Sequence, residues 1–194
     1  MEEEIFSPEE SLKVIQAMIN KAKATVADNS YYFLLWGWTI FIASTGQFIL
    51  KVIVKSPYHP IVWTINILAI VLSILHGVKE GKKNIARSYI DESLDHLWTS
   101  ILIAYILIAF LFAHIGWENC YSFYMLLYGL GGFVTGKILK FPPLVWGAVA
   151  SWLLAAVSIY TSFDVNMLLS SAAIVVSYII PGHLLRAKYK SAKK

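Results

Sequence analysis

Ser30-Tyr31-Tyr32-Phe33-Leu34-Leu35-Trp36-Gly37-Trp38 and Ser122-Phe123-Tyr124-Met125-Leu126-Leu127-Tyr128-Gly129-Leu130 agree at five of nine positions, and each opens a long apolar segment. Further matches follow in the same order. Ile49-Leu50-Lys51 answers to Ile138-Leu139-Lys140, and Pro60-Ile61-Val62-Trp63 to Pro143-Leu144-Val145-Trp146. Asp95 precedes His114 by nineteen residues, as Asp164 precedes His183. Apolar spans draw on few residue types, so chance likeness competes with duplication. Co-linear matches that include Gly, Pro, Trp and Lys favour duplication. Three spans per copy is an odd number, so the second copy would lie upside down in a membrane. Three-plus-three inverted repeats are typical of transporters.

Composition points the same way. Hydrophobic residues are 58% of the 194 and charged residues 14%, where a soluble domain carries about 25% charged. Six stretches can cross a hydrocarbon core of about 30 Å at 1.5 Å per residue. They lie near 31–54, 61–78, 97–116, 121–139, 144–163 and 166–185. The expected fold is therefore all-α: a six-span transmembrane helix bundle over residues 31–185, built as a 3+3 inverted repeat. A cytoplasmic amphipathic helix (residues 1–30) precedes it and a basic tail (residues 186–194) follows. No length is left for a soluble catalytic domain.

Fourteen of the sixteen basic residues fall in the first thirty residues, the second loop, the fourth loop and the tail; Lys51 and Lys55 are the others. Lys and Arg mark cytoplasmic loops, so both termini are expected in the cytoplasm. The net charge of +4 then reflects topology rather than nucleic-acid binding. The tail is expected against anionic lipid headgroups. Glu2, Glu3 and Glu4 stand where a signal peptide would carry basic residues. Cys120 is the single cysteine, expected in a short external loop as a free thiol.

Ser7, Pro8 and Glu10 form a helix start of capping-box type. Leu12, Ile15, Ile19, Ala22 and Val26 then recur at 3-4-3-4 spacing. Such a seam docks onto the bundle or headgroups, or meets a cytoplasmic protein partner.

Candidate functional residues are neutral. Gly129, Gly131, Gly132 and Gly136 crowd the fourth span. Gly132 and Gly136 have the spacing that lets helices approach closely, within the bundle or in a homodimer. The alternative is an interrupted helix whose freed backbone faces a cavity. Ser170, Ser171 and Ser177 add hydroxyls to the sixth span, and Pro181-Gly182 is expected to kink or end it. Trp36, Gln47, Tyr105 and Trp152 complete the polar or aromatic set at depth. A cavity of this lining suits a neutral or aromatic solute, or a cation held over ring faces.

Asp91, Glu92, Asp95 and His96, with His76 at the end of the second span, are the candidate metal ligands. Carboxylates with imidazoles bind divalent cations, but acids in a first helical turn also suit its dipole. No nucleophile elbow, zinc-protease motif, phosphate loop or paired cysteine is present, so no catalytic residue and no cofactor are expected. The acidic start, the amphipathic helix and the run Tyr31 to Trp38 resemble a group of small bacterial multi-pass inner-membrane proteins with no assigned activity. That resemblance implies a bacterial membrane location. Two functions stand open, ahead of a third, a metal-dependent enzyme at the cytoplasmic face. One is a small transporter- or channel-like protein; the other is a non-transporting scaffold or signalling protein acting through its first helix and the 79–96 loop.

Overall fold

Within residues 30–81 and 89–192 the chain folds into six helices. The computed structural model describes Leu12, residues 30–81 and residues 89–192, and among these every regular element is helical. The expected amphipathic helix of residues 1–30 lies outside the described residues, apart from Leu12 and Ser30. Helix α1 spans Ser30–Ile53, its last turn Ile49–Ile53 widened to a π-helix. Helix α2 opens as a 3-10 turn, His59–Thr64, with Pro60 in its first turn, and continues over Ile65–Gly81. Helices α3 (Tyr89–Ile115), α4 (Cys120–Ile138) and α5 (Pro142–Ser158) follow. Helix α6 is continuous through Phe163–Ile174, a π-turn at Val175–Ile179 and Ile180–Ala192.

Four of the six, α1, α2, α3 and α6, are long and apolar enough to cross a membrane. Helix α5 has 17 residues, and the 19 of α4 are diluted by Gly, Tyr, Ser and Thr. Each of these two buries one face among the other helices and leaves the opposite face exposed. Tyr121, Met125, Tyr128, Thr135, Leu144, Ala148 and Ser151 are almost wholly buried. By contrast, only 6% of the apolar stretch of α2 and 11% of that of α3 is enclosed, against 56% in α6. The core is thus α1, α4, α5 and α6, with α2 and α3 at its edge.

Helix α1 runs antiparallel to α6. Glycine sets the distance at both crossings. A Cβ on Gly182 would stand 3.1 Å from Leu34, and one on Gly37 2.9 Å from Ile179. Further along, Thr45 Oγ1 meets Ser171 Oγ and Lys51 pairs with Asp164. We call the end at which α1, α3 and α5 finish distal, and the end holding Ser30 and Ala192 proximal.

Pro181 does not stop α6. A proline lacks the N–H and crowds the carbonyl four residues back, here that of Ser177. The π-turn at Val175–Ile179 spans this residue and widens the ladder where the crowding falls. Gly182, tight against α1, lets the helix continue to Ala192, so most of the expected tail is helical. Helix α4 is uninterrupted, contrary to the half-helix alternative. Cys120 is not in a loop: it is the buried first residue of α4. The region before the third span is helical from Tyr89.

Helix α4 ends on a left-handed residue, Lys140 (φ 50°). Phe141 N–H donates to Gly136 O and Lys140 N–H to Lys137 O, the paired bonds of a Schellman stop. Helix α1 ends similarly at Lys55 (φ 56°), with Ser56 N–H donating to Leu50 O across the π-turn. The conformational counterpart of Lys140 is therefore Lys55, not the Lys51 of the sequence match.

Candidate functional site

At the distal end, Gln47 joins three helices and the turn before one of them. It lies in the last α-helical turn of α1 and is only 5% exposed. Its Oε1 accepts from Trp63 Nε1 of α2 at 2.5 Å and from the Tyr121 hydroxyl of α4 at 2.5 Å. Its Nε2 lies 3.0 Å from His59 Nδ1. The indole N–H can only donate, so it fixes which end of the carboxamide is oxygen. Tyr121 is 1% exposed, with its ring against those of Trp63 and Phe163. One turn beyond Gln47, Lys51 pairs with Asp164 in the first turn of α6 and sits 4.5 Å from the Phe163 ring centre. Asp164 also favours the positive end of the α6 dipole.

A second polar group adjoins this one. Ser122 Oγ of α4 meets Ser158 Oγ of α5 at 2.6 Å. Thr161 Oγ1 lies 2.5 Å from Asn166 Oδ1, at the start of α6. Asn166 is fully buried, and among the described residues its Nδ2 has no hydrogen-bond partner. Deeper in, Ser44 Oγ donates to Met167 O at 2.6 Å, Ser151 Oγ to Met125 O and Ser177 Oγ to Ala173 O. Hydroxyls bonded to helix carbonyls are satisfied without water, which an apolar surrounding requires.

No family model, no curated protein and no solved structure matches this chain. The reading of the site therefore rests on its geometry.

The glycines of α4 are occupied by neighbouring residues. A Cβ on Gly129 would meet Trp152 Nε1 at 2.1 Å, and the indole instead donates to Leu126 O. A Cβ on Gly131 would meet Trp98 at 2.9 Å; one on Gly136 would meet Leu144 and Val145 at the same distance. Gly132 faces Ala148. Gly132 and Gly136 thus serve α5 of the same chain, and a second copy could reach them only by displacing it. Ser170, Ser171 and Ser177 are buried on α6. Trp36 Nε1 donates to Ser73 Oγ of α2 at 3.1 Å. Tyr105 stacks on Tyr124, ring centres 5.4 Å apart.

The metal candidates do not assemble. Glu92 and His96 approach at 3.8 Å on an exposed face. His76 instead stacks on Tyr31, ring centres 3.9 Å apart. Among the described residues no three of His, Cys, Asp and Glu come together as a metal would need.

Of the sequence candidates, only Gln47 belongs to the distal cluster. Its partners His59, Trp63 and Tyr121 were not read as a site, and Lys51, Trp63 and Asp164 entered only as repeat matches. A glutamine in an apolar span needs partners, and the usable sequence signal was that Trp63 and Tyr121 begin other spans at that same end.

Proposed function

We propose that this chain is a six-span membrane protein of the bacterial cytoplasmic membrane, with both ends cytoplasmic, and that it works as a non-transporting scaffold. Its fixed part is α1, α4, α5 and α6; α2 and α3 ride on it. The observation that carries this reading is the filling of every glycine a pathway would need open. Trp152 covers Gly129, Trp98 covers Gly131, Leu144 and Val145 cover Gly136, and the α6 backbone lies on Gly147.

The inverted repeat is part of the proposal. What supports it is an exchange of partners between the halves. Helix α1 packs antiparallel to α6, and α3 to α4 through Trp98 on Gly131, Tyr105 on Tyr124 and Phe112 on Phe123. The first helix of each triplet ends on a left-handed lysine. The halves have nonetheless diverged: Trp63 is tied to Gln47, whereas Trp146 is 71% exposed.

A second reading, passage of a neutral or aromatic solute, has one observation of its own. Asn166 Nδ2 and Thr135 Oγ1 are fully buried and, among the described residues, have no hydrogen-bond partner. Such orphans each cost about 1–3 kcal/mol unless water or a solute meets them.

Cysteine labelling separates the two. In a Cys120→Ser background, Ser44→Cys, Ser171→Cys and Ser177→Cys should resist a membrane-impermeant thiol reagent, while Tyr160→Cys, at a site 90% exposed, reacts. Rapid reaction at Ser171→Cys from the distal side would replace the scaffold by a pathway.

A further inference from the structure

We propose that the contact of His59 with Gln47 is a proton-operated latch, closed when His59 is neutral and opened by acid on the distal side. The inference is independent of whether the bundle scaffolds or transports.

Hydrogen-bond polarity dictates the state of the ring. Trp63 Nε1 and the Tyr121 hydroxyl both point at Gln47 Oε1. Turning the amide over would set an indole N–H against an NH2 group, two donors face to face. Gln47 Nε2 is therefore the atom turned towards His59, and it donates. His59 Nδ1 must accept, which places the ring proton on Nε2. A protonated imidazole carries N–H on both nitrogens and no acceptor. Adding a proton thus converts the 3.0 Å contact from a bond into two opposed donors. Rotating the ring does not help, because no face of an imidazolium accepts.

Among the described residues, Glu118 in the turn before α4 included, no carboxylate forms an ion pair with His59. Lys55 and Tyr58 belong to the turn before His59. Lys51 of α1 is already paired with Asp164 of α6, so that carboxylate is engaged. Helix α4 contributes Cys120 and Tyr121, the latter held by Gln47. His59 itself is half-buried, in a turn where solvent reaches it.

Helix α2 is the element such a latch would release. It is the least enclosed helix, and its ties to α1 are spread along it. The Gln47 cluster holds its distal end, Trp36 to Ser73 its middle, and His76 on Tyr31 its proximal end. A proton on His59 removes its bond from the first tie but leaves Trp63 Nε1 donating to Gln47 Oε1, so the opening turn of α2 should loosen outward from Trp63 while the rest stays docked.

The test uses the full chain in phosphatidylcholine–phosphatidylglycerol vesicles. Spin labels on Ile61→Cys and Ile159→Cys, both exposed positions, in a Cys120→Ser background report the α2–α5 separation. It is measured at about pH 7.5 and about pH 5, which bracket the usual range of histidine. With His59 intact, the distance population seen at about pH 7.5 should give way to longer separations at the lower pH. His59→Gln offers an acceptor that does not titrate and should keep that population at both. His59→Arg, charged and donor-only, should lack it at both. An unchanged distribution with His59 intact, or an equal pH response in His59→Gln, would overturn the latch. Should His59→Arg not fold, the first two proteins decide alone.

Discussion

Gly147→Ala should lower the stability of the folded chain by about 2 kcal/mol, while Gly46→Ala should leave it unchanged or raise it by up to about 1 kcal/mol. Both positions are glycines within helices, and both substitutions gain the same helix propensity. Only their surroundings differ. At Gly147 the new Cβ would lie 2.3 Å from Val176 O and 2.9 Å from Ser177 Cα. Those atoms are backbone of the α6 π-turn, so no side-chain rotation relieves the clash. Helix α5 must retreat, and it takes Leu144, Ala148 and Ser151 out of close contact. At Gly46 the nearest atom is Val62 Cγ1 at 3.5 Å, an ordinary contact that a methyl group fills. Unfolding in mixed micelles of increasing denaturing detergent measures both. Equal losses at the two sites would mean that the α5–α6 approach is looser than described.

The same contacts explain how far the sequence could be read. Six apolar segments were legible and each coincides with a helix, four of them long and apolar enough to cross a membrane; α3 starts eight residues before its expected bound and α6 runs seven beyond its own. Asp164 was placed just ahead of the sixth span and lies in the first turn of α6, whereas Pro142 and Pro143, which open α5, fell before the expected start at 144. What stayed hidden depends on partners distant in sequence. Gly129 and Gly147 look alike in the chain, yet one shelters an indole and the other a π-turn. The widening at Val175–Ile179 answers to a proline that, on local rules alone, should bend or end the helix. Gln47 was visible as an oddity, but its meaning lay in Trp63 and Tyr121, sixteen and seventy-four residues away. Asp91, Glu92, Asp95 and His96 suggested a ligand set that His76, at the end of the preceding span, could join, whereas the His76 ring stacks on Tyr31.

Gln47→Leu should be the most damaging single change at the distal end, costing about 3 kcal/mol, because it orphans two donors at about 1–3 kcal/mol each. The Tyr121 hydroxyl is 1% exposed on its residue and cannot turn to water. The Trp63 indole is half-buried between Gln47 and the Tyr121 ring. Leucine matches the volume of glutamine closely enough that the loss reports hydrogen bonding rather than a cavity. Gln47→Glu makes the complementary case. A carboxylate accepts from Trp63, from Tyr121 and from a protonated His59 together, so acid should now hold the distal end of α2 instead of freeing it. The unfolding assay should show the leucine variant weakened alike at about pH 7.5 and about pH 5, with its spin-label distances no longer responding to pH. The glutamate variant should reverse the direction of that response. If the leucine variant is as stable as the parent, Gln47 is not the tie between α1, α2 and α4, and the latch has nothing to act on.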